Sequence, residues 1–158
     1  MKQRKNFLLI IFTLIIVFLI VCIIYSFNLD SAVKVNIDAV YVDNDYLNDR
    51  TIPYNTEGKK IVSCDINFKS YSFYKFEILE IKNDQITPIY ANNFPQEMSD
   101  MSIFSTQIIP CAFLVDENME MGDVKEKLAL SEIVVMNYIA DDGIDADFSY
   151  LSVDKITE

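Results

Sequence analysis

The apolar positions along this 158-residue chain fall into two regimes. From Phe7 to Phe27 no charge interrupts an apolar run whose mildly polar members are Thr13, Cys22, Tyr25 and Ser26. A helix of that length, rising about 1.5 Å per residue, spans about 30 Å, the thickness of a bilayer's hydrocarbon core. Beyond it the pattern turns to period two. In "IVSCDINF" the set Val62, Cys64, Ile66, Phe68 alternates with Ser63, Asp65, Asn67, which predicts a strand with one buried face. In "AVKVNIDAVYV", Val33, Val35 and Ile37 oppose Lys34, Asn36 and Asp38, and in "IIPCAFLV" Ile109, Cys111, Phe113 and Val115 share a face.

"EIVVMNYI" is a near-continuous β-branched run, as expected of a central strand. "FSYLSVDKI" reads as another strand whose alternation slips between Tyr150 and Leu151, which predicts a bulge. Asp142-Gly143 between these two runs signals a hairpin, because glycine accepts a positive φ. "KND" at Asp84 joins "YKFEILEIK" to "QITPIYA". "DVKEKLALSE" places Val124, Leu128 and Leu130 compatibly with a strand or a short helix, and the strand is the favoured reading. Roughly seven short strands punctuated by polar turns predict an all-β fold, an immunoglobulin-like β-sandwich preceded by one transmembrane helix.

The arrangement resembles the telokin-type immunoglobulin-like extracellular domains of small exported Gram-positive proteins. The residues that carry the resemblance are "VKVNIDAV", "KKIVSCDINF" and "TQIIPCAFLV". The core tryptophan of antibody-type domains has no counterpart, and "DENMEMGD" lacks a Pro-Gly turn before the next strand. The resemblance implies a domain that binds or braces, with no common activity.

Charge sets the orientation expected of the first segment. Lys2, Arg4 and Lys5 precede the apolar run and Asp30 is the first charge after it. The positive-inside bias then keeps residues 1–6 in the cytoplasm, makes 7–27 the anchor and exports 28–158. All 24 acidic residues lie beyond the run with ten of the 13 basic ones, so the exported part carries a formal charge of −14. Such a surface repels nucleic acid, anionic lipid and anionic wall polymers, and attracts cationic peptides, basic proteins or divalent cations.

Cys22 tests the anchor reading. Leu19, Ile20 and Cys22 resemble a lipoprotein processing motif, but Val21 stands where that motif needs a small residue. Ile23, Ile24 and Tyr25 also keep the chain apolar past the cysteine. No good pair of small residues near Ser26 to Ala32 marks an ordinary cleavage site. An uncleaved single-pass helix is therefore favoured over a lipoprotein or a cleaved signal.

Candidate chemistry is sparse. Cys64 and Cys111 fall on inward strand faces, either as a disulfide or as two buried thiols. Asp141, Asp142, Asp145 and Asp147, and separately Asp43, Asp45 and Asp49, supply carboxylates for calcium. Neither group has the EF-hand spacing: with Gly143 as the sixth loop position, Tyr138 and Ala140 occupy ligand places. A hairpin turn with solvated carboxylates explains the first group as well. Met98, Met101, Met119 and Met121 offer thioethers of the kind that hold Cu(I), or a cover for a hydrophobic edge. Tyr71, Phe73, Tyr74 and Phe76 crowd into six residues and form the candidate partner surface.

The chain has no histidine, which removes Ser-His-Asp and Cys-His catalysis and histidine-based zinc sites. No Gly-rich phosphate loop is present either. The expectation is a membrane-anchored, non-catalytic binding or accessory module with a protein partner, no cofactor and no nucleic acid. The alternatives are an ion carrier and an immunity-type protein that captures a cationic peptide.

Overall fold

All of the uncharged run but Phe27 lies in one unbroken helix, α1 (Lys2–Ser26), inside which Cys22 is an ordinary helical residue. The structure, a computed structural model, describes residues 2–46, 54–72, 75–89, 105–138 and 146–157. Side chains from Phe7 to Tyr25 stand exposed around the whole circumference of α1, so no stripe of it packs on the rest of the protein. The two hydroxyls in the run are satisfied internally: Thr13 Oγ1 donates to the Leu9 carbonyl and Ser26 Oγ to that of Cys22, each at 2.9 Å. Such back-bonding hides a polar group from hydrocarbon.

Phe27 and Asn28 separate α1 from a single turn, α2 (Leu29–Ala32), whose first residue is buried in the domain core. Asn28 starts that turn by accepting the Ser31 N–H on its side-chain oxygen at 3.3 Å. The chain then enters β1 (Val33–Val42) with no intervening loop.

Among the described residues eight strands make up two sheets: β2 (Lys59–Ser70), β3 (Lys75–Lys82), β4 (Thr87–Ile89), β5 (Thr106–Asp116), β6 (Glu132–Tyr138), β7 (Ala146–Ser152) and β8 (Lys155–Ile156) join β1. The larger sheet has the order β4-β5-β2-β1-β8 and the smaller one β3-β6-β7. Neighbours are antiparallel except β1 and β8. The alternation read from the sequence sets which side chains turn inward. Val35 and Ile37 from β1, Ile66 and Phe68 from β2, and Phe113 from β5 meet Phe76, Ile78, Ile133, Val135 and Leu151 of the other sheet in one core. Each such side chain, fully withdrawn from water, contributes about 1.5–3 kcal/mol. A smaller cluster on the outer side of the larger sheet joins Ile61, Ile89, Ala112 and Leu114 under Tyr46 and Tyr54.

Two expectations are corrected. "DVKEKLALSE" is not a strand: Met121–Leu128 is helix α3, with Val124 and Leu128 buried and Leu130 60 % exposed. A strand would send Val124, Leu128 and Leu130 to one side, whereas the i, i+4 spacing of the first two fits a helix face. Asp123 in its first turn and Lys125 and Lys127 in its last suit the helix dipole. The expected bulge in the last strand is also absent, since β7 keeps unbroken register with β6 from Ala146 to Ser152. Its slip in alternation means that Phe148 and Tyr150 face outward while Leu151 faces the core. After Ser152 the chain changes sheets. The Asp154 N–H donates to the Val35 carbonyl at 2.7 Å, Asp154 Oδ2 accepts the Val35 N–H at 2.8 Å, and β8 continues beside β1.

Asn83 secures the crossing from β3 in the smaller sheet to β4 in the larger. Its Oδ1 accepts the N–H groups of Gln85 and Ile86, and its Nδ2 donates to the Lys127 carbonyl at 2.7 Å and to Ser131 Oγ at 2.9 Å. The Lys127 carbonyl belongs to the end of α3 that lacks intrahelical donors, so one amide side chain serves two elements. The Asp142-Gly143 turn expected between β6 and β7 lies outside the described residues.

The helical reading of Met121–Leu128 has a direct mutational test. Leu128→Ala should cost about 2–5 kcal/mol in urea unfolding of the detergent-solubilised chain. Leu130→Ala should stay within about 0.5 kcal/mol; equal losses at both positions would return the segment to a strand.

Candidate binding surfaces

Register brings the two inward cysteines together. Cys64 and Cys111 are direct partners across β2 and β5, both buried in the core and both thiols in this structure. Opposed residues of an antiparallel pair stand about 4.5–5.5 Å apart at Cα, within the span a disulfide bridges. Burial, followed by the charge of Asp65, pushes the Cys64 thiol up to about 12. Burial pushes Cys111 higher still, with Cys64 and Asp65 adding to it. A thiol so displaced supplies almost no thiolate at neutral pH and is neither nucleophile nor ready metal ligand.

The carboxylate candidates are used locally where they are described. Asp43 accepts the Asp45 N–H at 3.2 Å and the Ser63 hydroxyl at 2.8 Å, closing the turn that follows β1. Asp147 stands in β7 opposite Asn137. Asp49, Asp141, Asp142 and Asp145 lie outside the described residues. Among the described residues no three His, Cys, Asp or Glu side chains are grouped to hold a metal ion. Met119, just before α3, and Met121, its first residue, are half-buried against the core, whereas Met98 and Met101 fall outside the described residues.

The aromatic candidates separate. Phe76 is fully buried in the core, which removes it from any contact surface. Tyr71 is 38 % exposed at the end of β2, with the Lys69 ammonium 5.2 Å from its ring centre. Phe73 and Tyr74 are not among the described residues. Sequence reasoning missed a second aromatic site, on the outer side of the smaller sheet. Phe148 and Tyr150 are more than half exposed and stand opposite Met136 and Val134 of β6. The Lys82 ammonium lies 5.6 Å from the Tyr150 ring, and Glu80 pairs with Lys82 at 3.7 Å. The signal was the slip in "FSYLSV" itself: an aromatic pair out of phase with the next apolar residues marks an outward pair as readily as a bulge.

The ends of the domain differ in charge. β1 carries the chain away from α1 and β2 brings it back, because Val33 stands opposite Ser70. The turns at the far end hold Asp43, Asp45, Glu57, Asp84, Glu117 and Glu120. Lys59 neutralises Asp116 there by a direct side-chain contact, which holds that carboxyl below the usual range, and Lys60 Nζ donates to the Met119 carbonyl.

Comparison with protein-family models, with curated proteins and with solved structures finds no match to this chain.

The cysteine environment predicts how the reduced protein behaves. Folded chains at pH 8 should resist a thiol reagent at Cys64 and Cys111 and react in denaturant. A thiol raised by burial favours the folded state fully below its unfolded pKa. Stability should therefore fall as the pH rises from about 9 towards 12, by up to about 1.4 kcal/mol per unit for each thiol. A flat alkaline profile, with an intact mass 2 Da lower before reduction, would place a disulfide there instead.

Proposed function

We propose that the chain is a single-pass membrane protein, its N-terminus in the cytoplasm, that holds an exported immunoglobulin-like β-domain at the outer face as a non-catalytic binding or accessory module. The observation that carries this reading is α1. Its stretch Phe7–Ser26 is long and apolar enough to cross a bilayer, and the side chains from Phe7 to Tyr25 all stand exposed. Apolar side chains exposed on every side of a helix require a non-aqueous surrounding. Lys2, Arg4 and Lys5 on one side and Asp30 on the other supply the orientation.

The partner is a protein rather than a nucleic acid, on the ground of charge: −14 beyond the helix repels phosphate backbones. The acidic turns at the far end of the domain favour a basic patch or a cationic peptide, which keeps capture of a cationic toxin as the second reading. The aromatic site around Phe148 and Tyr150 supplies an apolar contact on a different face.

Two measurements test these statements. Protein extracted from membranes should show an intact mass that still includes Met1 to Val21. A chain that begins at Cys22 with a diacylglyceryl group, or one that begins just beyond the apolar run, overturns the uncleaved anchor. Capture of basic peptides should weaken steeply as salt rises, because exposed charges are screened beyond about 8 Å at physiological ionic strength. Binding indifferent to salt overturns the electrostatic partner.

A further inference from the structure

The larger sheet's outer face carries a graded ladder next to the end of α1. Three rungs of directly opposed residues cross β1 and β2: Lys34 with Lys69, Asn36 with Asn67, and Asp38 with Asp65. The rungs between them, Val35 with Phe68 and Ile37 with Ile66, face the core, so all three polar rungs lie on the opposite side. Like charges directly opposite one another weaken a strand pair, so the lysine and aspartate rungs each need a compensating partner. At the first rung Asp154 answers Lys34 at 3.2 Å, and Lys69 sits against the Tyr71 ring.

The first rung is also the one nearest the helix. The Tyr71 N–H donates to the Ala32 carbonyl at 2.7 Å, and Ala32 is the last residue of α2. Only Phe27 and Asn28 come between α1 and α2, with Asn28 in extended backbone, so Ala32 follows closely on the end of the apolar helix. The polar headgroup region of a bilayer adds about 5–7 Å beyond each side of the hydrocarbon core. With α1 seated in the core, Tyr71 and the first rung form the end of the larger sheet that faces the headgroup region. Phe27, exposed between α1 and α2, stands at the boundary. The acidic rung lies about 13 Å further along the strands, away from the phosphates.

We propose that Lys69 and Tyr71 form a foot that rests the domain on the phosphate layer of the bilayer in which α1 is embedded. This rests on the membrane-anchor reading above. The ammonium meets lipid phosphate and the tyrosine lies in the interface, where amphipathic aromatic rings concentrate. The domain is thereby set upright, with its acidic turns presented away from the membrane.

The chain has no tryptophan, so a single introduced one reports its own depth. The full chain would be reconstituted in vesicles of phosphatidylcholine and phosphatidylglycerol, with and without lipids brominated at the first carbons of the acyl chain. Three variants are compared: Tyr71→Trp in the foot, Tyr41→Trp at the far end of β1, and Phe12→Trp in the middle of α1, the last read with lipids brominated near the acyl-chain end. Tyr71→Trp should lose most of its emission to the shallow bromines while Tyr41→Trp loses none, and adding Lys69→Glu should restore it. Lys69→Trp reads the same depth should Tyr71→Trp fail to fold. If Phe12→Trp is quenched but the foot tryptophan stays as bright as Tyr41→Trp, the foot is wrong and the anchor stands. A quench indifferent to Lys69→Glu overturns the phosphate contact. An unquenched Phe12→Trp overturns the anchor and the foot together.

Discussion

The register of β2 governs nearly everything else in this domain. Its residues Lys59–Ser70 pair with β5 on one side and β1 on the other for almost their full length. A slip of one residue would carry Val62, Cys64, Ile66 and Phe68 out of the core and Lys69, Asn67 and Asp65 into it. The penalty for burying those charges is what makes the pairing unique. From that one alignment come the meeting of Cys64 with Cys111 and the stacking of like residues in the Lys, Asn and Asp rungs. The same alignment brings Tyr71 against Ala32, at the seam where helix and domain join.

That seam gives the molecule its direction. A flexible linker would let the domain tumble relative to its helix, but here only Phe27 and Asn28 intervene before Leu29 enters the core. Orientation of the helix therefore becomes orientation of the sheets. The two outer faces then differ in character. The larger sheet presents polar rungs near α1 and covers its far outer side with Tyr46 and Tyr54. The smaller sheet leaves Phe148 and Tyr150 open. A lysine rung beside α1, acidic turns at the far end and an aromatic flank are three distinct surfaces on one small domain.

The inward faces of β1, β2 and β5 are legible in the sequence because alternation over six or more residues has one low-energy solution. The segment Met121–Leu128 is not, since eight residues with two buried positions satisfy period two and period 3.6 alike; burial of Val124 and Leu128 with Glu126 and Leu130 left exposed decides it. The slip at Tyr150 is visible but ambiguous, because a bulge and an outward aromatic pair leave the same trace in sequence. Among the site candidates, Phe76 looks equivalent to Tyr71 and differs from it entirely in burial. Composition places aromatics close together, yet only the crossing from one sheet to the other decides which of them meets water.

The sequence by itself determined the apolar helix, the acidic character of the chain beyond it, the lack of histidine chemistry and the inward face of each long strand. These are local properties, fixed by residue type and by the geometry of a helix or a strand. Tertiary structure alone decided the pairings: which strands share a sheet, that Lys34 faces Lys69, that Cys64 faces Cys111, and that the last strand changes sheets at Asp154. Partners far apart along the chain are chosen by the joint burial of both sheets' inner faces, a condition no single segment carries.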